Sequence, residues 1–156
     1  MNPRPIYESD EDLYKEKQVI KAIAEALGLD FFKLPRSYGL DYALTNPENQ
    51  SVRAFVEIKA RKNHSQRYPT LLLSLSKLIS AQKLSSATSR PSYLLAAFTD
   101  GLFLTKLTSG QEPVTIAGRT DRDDPADLEP CIHFRVPKMR KVASFNIHKG
   151  DYDNES

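Results

Sequence analysis

The run Tyr93–Phe98, YLLAAF, is apolar without alternation, which is the pattern of a strand covered on both faces. A chain carrying such a strand must provide a layer for each side of its sheet, and helices are the usual layers. The segment before it provides one. Pro69 stands where a helix can begin, and Leu71, Leu75, Leu78, Ile79 and Gln82 fall on one side of a helix running to about Ser86. Upstream of that helix, Ser51 to Ala60 reads as another strand. A helical crossover of this length permits parallel pairing with Tyr93–Phe98, and such crossovers are right-handed.

A first helix is predicted over Asp10 to Leu27. Ser9 can cap it, Glu11 and Asp12 suit the positive end of its dipole, and Gly28 follows the last turn. Leu13, Glu16, Ile20, Ile23 and Leu27 share one face, and Glu16 is the odd member of that apolar stripe. After a connection containing Pro35 and Gly39, Asp41 to Leu44 reads as a short strand, and Asn46 to Asn49 as the turn that pairs it with Ser51–Ala60. Asp100 and Gly101 signal a turn into a returning strand, Leu102 to Leu107. Val114 to Ala117 and Cys131 to Val136 are later strand candidates, and Gly150 to Ser156 reads as a frayed acidic tail. The expected architecture is an α/β domain over residues 1–149 in which a central mixed β-sheet is flanked by helices.

Composition narrows the function classes. The 156 residues, with 22 Lys plus Arg against 20 Asp plus Glu and 40% apolar side chains, suit one domain with a real core. The single cysteine, Cys131, excludes an internal disulfide framework and points to a reducing compartment. Met1 to Asp12 is polar and acidic where a secretory signal needs a basic start and an apolar stretch, and Tyr93–Phe98 is too short to cross a bilayer. The expectation is a cytoplasmic protein without a membrane partner. His133, His148 and Cys131 lack the spacing of a zinc site. Net charge is only +2, but Arg53, Lys59, Arg61, Lys62 and Arg67 gather around one strand between acidic ends, a hint of an anionic ligand.

Asp41, Glu57 and Lys59 carry the most chemistry. Glu57 and Lys59 are two apart on a strand, so their heads leave the same face, and Asp41 on the preceding strand can come alongside. Two converging carboxylates repel unless a cation sits between them, and oxygen-only ligation suits Mg²⁺ or Mn²⁺. A lysine beside such a centre can polarise water or neutralise charge on a phosphate. Taken alone, these residues could also be a solvent-facing strand pair and a turn-proximal acid, the less favoured reading. Phe55 on the same face argues against full solvent exposure.

With Gly39-Leu40-Asp41 as one half and Glu57-Ile58-Lys59, inside Ala54–Lys59, as the other, the chain resembles the PD-(D/E)xK nuclease superfamily. The resemblance covers roughly residues 8–107. It implies a restriction-endonuclease-like αβββαβ core and a metal-dependent hydrolysis of DNA, with phage DNA metabolism and repair both open as settings, and the compact size of the chain favours structure-directed or weakly sequence-specific cutting. Asp41, Glu57 and the carbonyl of Ile58 would hold Mg²⁺ or Mn²⁺, and Lys59 would assist the attacking water. Glu16 on the first helix and Gln82 on the second would complete the catalytic set. The motif's proline is absent, since Leu40 precedes Asp41.

Arg61, Lys62, Asn63, His64 and Arg67 follow the motif directly and are the candidate nucleic-acid contacts. A homodimer would let two centres cut two strands. The alternative on the same fold is a non-cleaving nucleic-acid-binding or regulatory protein.

Overall fold

In the computed structural model, which describes residues 10–107, 113–118 and 128–144, helix α1 spans Asp10–Leu27, as the sequence predicts. Its C-terminus closes with two reverse-turn hydrogen bonds, from the Leu29 N–H to the Ala24 carbonyl at 2.9 Å and from the Gly28 N–H to the Glu25 carbonyl at 3.2 Å. That closure needs a left-handed residue, and Gly28 supplies it with φ +67°. The buried stripe of α1 is Val19, Ile20, Ile23 and Ala24, whereas Leu13 and Leu27 at its two ends are exposed. Glu16 lies one turn before Ile20 and is half-buried.

Six strands form the main sheet in the order β1-β2-β3-β5-β6-β9. They are β1 (Asp30–Lys33), β2 (Tyr42–Thr45), β3 (Val52–Ala60), β5 (Ser92–Phe98), β6 (Gly101–Lys106) and β9 (Arg140–Ala143). β3 and β5 are parallel, Glu57 opposite Leu94 and Lys59 opposite Ala96, and every other pairing is antiparallel. The parallel pair is joined through helix α2 (Leu75–Thr88), as the uninterrupted apolar strand requires. Alternation sorts the sheet into two cores. Phe55, Leu94, Ala96 and Phe98 pack with Leu78 and Ala81 of α2 on one face; Val56, Ile58, Leu95 and Ala97 pack with Val19, Ile20 and Ile23 of α1 on the other. Counting α1, β1–β3, α2 and β5, the order is the αβββαβ core of a mixed α/β fold, with one extra strand before α2.

That extra strand corrects the predicted helical segment. Residues Thr70–Ser74 form β4, and α2 begins only at Leu75. Three consecutive leucines fit either period. What decides is long-range pairing with β8 (Leu128–Arg135), from Thr70 opposite Arg135 to Ser74 opposite Cys131. Leu71 and Leu73 are buried on the core side, and Ser74 caps α2, its Oγ accepting the Ser76 N–H at 3.3 Å. β4, β8 and β7 (Val114–Gly118) make a second, three-stranded sheet. Two main-sheet strands, β1 and β9, were not expected from sequence. β1 is an edge strand whose pattern carries no alternation: Phe31 is half-buried while Asp30, Phe32 and Lys33 are exposed. The predicted tail, Gly150–Ser156, lies outside the described residues.

Candidate active site

β2 begins three residues after the left-handed Gly39, and its first residue, Tyr42, is already paired with Val56 of β3. Asp41 occupies the corner between Gly39 and Tyr42. Its N–H donates to the Val56 carbonyl at 3.2 Å, its own carbonyl accepts the Leu34 N–H at 2.9 Å, and its Oδ2 accepts the Ile58 N–H at 2.8 Å. The carboxylate thus replaces the backbone acceptor that β2 no longer offers. The N–H and C=O of one strand residue point toward the same neighbouring strand, so the Ile58 carbonyl faces the same opening. The Ile58 side chain points to the α1 face and is buried there.

Glu57 and Lys59 leave β3 on the α2 face, together with Phe55. The Glu57 side chain is 2% exposed, and its Oε1 accepts no hydrogen bond. Two ammonium groups stand against it: Lys77 Nζ is 3.4 Å from Oε1, and Lys59 Nζ is 3.7 Å from Oε2. Burial and then the neighbouring Asp41 carboxylate push the Glu57 carboxyl up to about 8, only partly offset by Lys59 and Lys77. This carboxylate is dry, beside a second acid and short of a donor, a state that an added cation would relieve.

Glu16 approaches from α1 through an intermediary. Lys33 on β1 places Nζ 3.2 Å from Glu16 Oε1 and 3.6 Å from Asp41 Oδ1, over the ring of Tyr42 at 4.8 Å. Partial burial disfavours the Lys33 ammonium, yet Asp41 and Glu16 outweigh it and raise its pKa above the ordinary lysine value. Acids and lysines therefore interleave across the site, Glu16–Lys33–Asp41 on one side and Lys59–Glu57–Lys77 on the other.

Gln82 does not join them. It is exposed and borders the outer groove of α2 with Ile79, Lys83, Ser86 and Ala87. At 100° per residue, five positions separate it from Lys77 by roughly 140° around the helix. Lys77 is the α2 side chain that reaches the acids. One sequence signal marked it: a lysine in a first turn opposes the helix dipole. Lys33 carried no such signal, because its strand was itself unrecognised.

The loop after β3 is tied to the β5–β6 turn. The Arg61 N–H donates to the Ala97 carbonyl at 2.8 Å, and the Thr99 N–H to the Asn63 carbonyl at 3.0 Å. Ser65 donates to Asp100 through both its N–H, 2.9 Å, and its hydroxyl, 2.7 Å. His64 Nε2 is 3.4 Å from Asp100 Oδ2, while its Nδ1 accepts the Gln66 N–H at 3.2 Å. Burial works against the Asp100 charge, but the Ser65 hydrogen bonds and His64 hold its carboxyl below the ordinary range. Asn63 donates its amide to the His64 carbonyl, so His64 and Asn63 shape the loop. Arg61, Lys62 and Arg67 are exposed along it, the Arg67 guanidinium 5.5 Å from the Tyr68 ring.

The oxygen set of Asp41, Glu57 and the Ile58 carbonyl fits a hard divalent cation. Mg²⁺ commonly takes one or two carboxylates and keeps several waters. Among the described residues no group of three or more His, Cys, Asp or Glu side chains could hold a metal, so waters and substrate oxygens would fill the remaining positions.

A mixed sheet between helices is the fold that the resemblance to PD-(D/E)xK nucleases implies. The chain belongs to the family described as "Phage putative PDDEXK endonuclease", whose model matches residues 2–142. Among solved structures it is similar to Archaeoglobus fulgidus Hjc, a Holliday junction resolvase from an archaeal hyperthermophile. That match has a TM-score of 0.55 at 12% identity, covering 86% of this chain and 93% of the other. No curated protein matches by sequence. No helix among the described residues is long and apolar enough to cross a membrane.

Proposed function

We propose that the protein is an Mg²⁺- or Mn²⁺-dependent DNA endonuclease whose centre is Asp41, Glu57 and Lys59. The observation that carries this reading is the Glu57 carboxylate, 2% exposed, with an oxygen that accepts no hydrogen bond, placed beside a second acid. Burying an ionised carboxylate in that state is costly, and a cation shared with Asp41 removes the cost. Asp41, Glu57 and the Ile58 carbonyl would hold the ion. Bound there, it would supply Lewis acidity toward the scissile phosphate and the attacking water.

The chain's own groups do the rest. Asp41 is oriented by the Ile58 N–H, so Oδ2 is fixed on the strand while Oδ1 meets the Lys33 ammonium at 3.6 Å. Lys59, 30% exposed at the mouth of the site, can hold the water in line and offset charge accumulating on the phosphate. Glu16, linked through Lys33, positions Asp41. Lys62 and Arg67 on the docked loop suit the flanking phosphates, with Arg61, Asn63 and His64 shaping that edge. Reading the second sheet as part of the same domain is supported by Ile132 and Phe134 of β8, which pack into the core of Phe55, Leu94 and Leu78. A homodimer would bring two such centres to a duplex.

The test uses supercoiled, linear, single-stranded and four-way-junction DNA with Mn²⁺, Mg²⁺ or chelator. The resolvase neighbour motivates the junction. Metal-dependent cutting, lost in Glu57→Ala and Lys59→Ala, supports the reading. Salt-dependent binding without nicks in any metal favours the non-cleaving alternative.

A further inference from the structure

Lys77 makes two contacts that link α2 to both acids. Its Nζ donates to the Gly39 carbonyl at 2.8 Å, two residues before Asp41, and stands 3.4 Å from Glu57 Oε1. Gly39 itself presses on the same helix: a Cβ there would lie 2.7 Å from Ser80 Cβ and closer still to Ser80 Oγ. The Asp41 corner is thus docked on the first two turns of α2 by a hydrogen bond and by close packing. The charge of Lys77 has a separate effect. It lies 3.4 Å from the buried carboxylate oxygen that accepts no hydrogen bond.

From these contacts we propose that Lys77 is a positioning residue with two separable actions on the cation site. Its hydrogen bond to Gly39 holds the Asp41 segment in place, and its charge competes with the divalent cation for Glu57. This inference rests on reading Asp41 and Glu57 as cation ligands. In the metal-free site the internal ammonium gives the ionised Glu57 carboxylate a partner, at the expense of cation affinity. An arriving dication must either share Oε1 with Lys77 or displace it, and both oppose binding. A substrate phosphate then gives the displaced ammonium a new partner. A lysine that only braced the fold would behave differently, since its loss would loosen the acids and weaken cation binding.

The experiment titrates the metal-free full chain with Mn²⁺ and follows free Mn²⁺ by electron paramagnetic resonance. The parent, Lys77→Gln, Lys77→Arg and Glu57→Ala are compared. Gln keeps a donor for the Gly39 carbonyl and removes the charge; Arg keeps both. Lys77→Gln is expected to bind Mn²⁺ about tenfold tighter than the parent, a figure discounted for the partial solvent exposure of the ammonium. Lys77→Arg should match the parent, and Glu57→Ala should lose the site. If Glu57→Ala loses Mn²⁺ but Lys77→Gln binds equally or more weakly, the inference is overturned and the cation site stands. If Glu57→Ala binds as well as the parent, the cation reading falls and takes the inference with it. A second measurement needs no variant: acylation of Lys77 by an amine-reactive ester, read by mass spectrometry against Lys83. Reactivity of Lys77 should rise severalfold on adding Mn²⁺, and an unchanged or reduced value overturns the proposal.

Discussion

Replacing Glu57 by glutamine should make the metal-free protein more stable at alkaline pH while abolishing its activity. In the folded chain the carboxyl is pushed up from an ordinary 4.5 to about 8, because burial and Asp41 disfavour its charge more than Lys59 and Lys77 favour it. The folded state therefore binds this proton more tightly than the unfolded state does. Below about pH 4.5 the group is protonated in both states and there is no penalty; the penalty grows through pH 4.5–8 and is complete above. At about 1.4 kcal/mol per pKa unit the ionised group costs roughly 3–5 kcal/mol. Allowing for the lysines losing their partner in the variant, Glu57→Gln should gain about 2–3 kcal/mol at pH 8.5. For a chain of this size that is an increase in Tm of roughly 5–10 °C.

The assay is thermal or urea unfolding of parent and variant in chelator between pH 4.5 and 9. The difference between the two curves cancels all other titrating groups. It should be near zero at the acid end and open progressively toward pH 8.5. Mn²⁺ should stabilise the parent and leave the variant unmoved, because only the parent binds it in the folded state. A difference that is absent at pH 8.5, or constant across the range, would refute the claim that Glu57 is a dry, cation-seeking acid.

Other outcomes follow from the same geometry. Lys59→Met should lower turnover at least about a hundredfold with Tm nearly unchanged, checked by nicking kinetics beside a melting curve. Gly39→Ala should destabilise by about 1–3 kcal/mol, since φ is +79° and the new Cβ meets Ser80; Gly39→Ala with Ser80→Gly should recover part of that loss in a double-mutant cycle. Asp100→Ala should release the loop that Ser65 and His64 anchor, costing about 1–2 kcal/mol and weakening DNA affinity, with faster amide exchange over residues 61–67 as the readout. The Asp100 contribution has the opposite pH sense from Glu57: its lowered carboxyl stabilises above the ordinary 3.8 and loses that effect as pH falls through its folded value.

The parts of the fold legible in sequence were those where local pattern and tertiary role agree. YLLAAF reads as a doubly covered strand because both of its faces meet apolar layers, and α1 reads correctly because Gly28 closes it where the stripe ends. Leu71–Leu73 misread as helix because a run of leucines satisfies both periods, and only pairing with β8, some sixty residues away, selects the strand. β1 was invisible because an exposed edge strand is held by its neighbour's backbone rather than by burial. The candidate site divides in the same way. Glu57 and Lys59 could be placed side by side from sequence because strand alternation fixes which side chains share a face, and Asp41 could be placed near them because it directly precedes the strand paired with theirs. Gln82 lies on the exposed side of α2, away from the acids, because the helix starts later than its stripe suggests, which removes Leu71 from the phase. Lys33 and Lys77 depended on tertiary placement: one lies on the unrecognised strand, and the other is given meaning only by Gly39 and Glu57 beside it.

The central claim is that Asp41 and Glu57 share one divalent ion. Anomalous diffraction from crystals soaked in Mn²⁺ tests it directly. A single strong peak within coordination distance of both carboxylates, absent from crystals of Glu57→Gln, is the predicted result. A peak elsewhere, or none while Lys77 and Lys59 remain against Glu57 at saturating Mn²⁺, would contradict it.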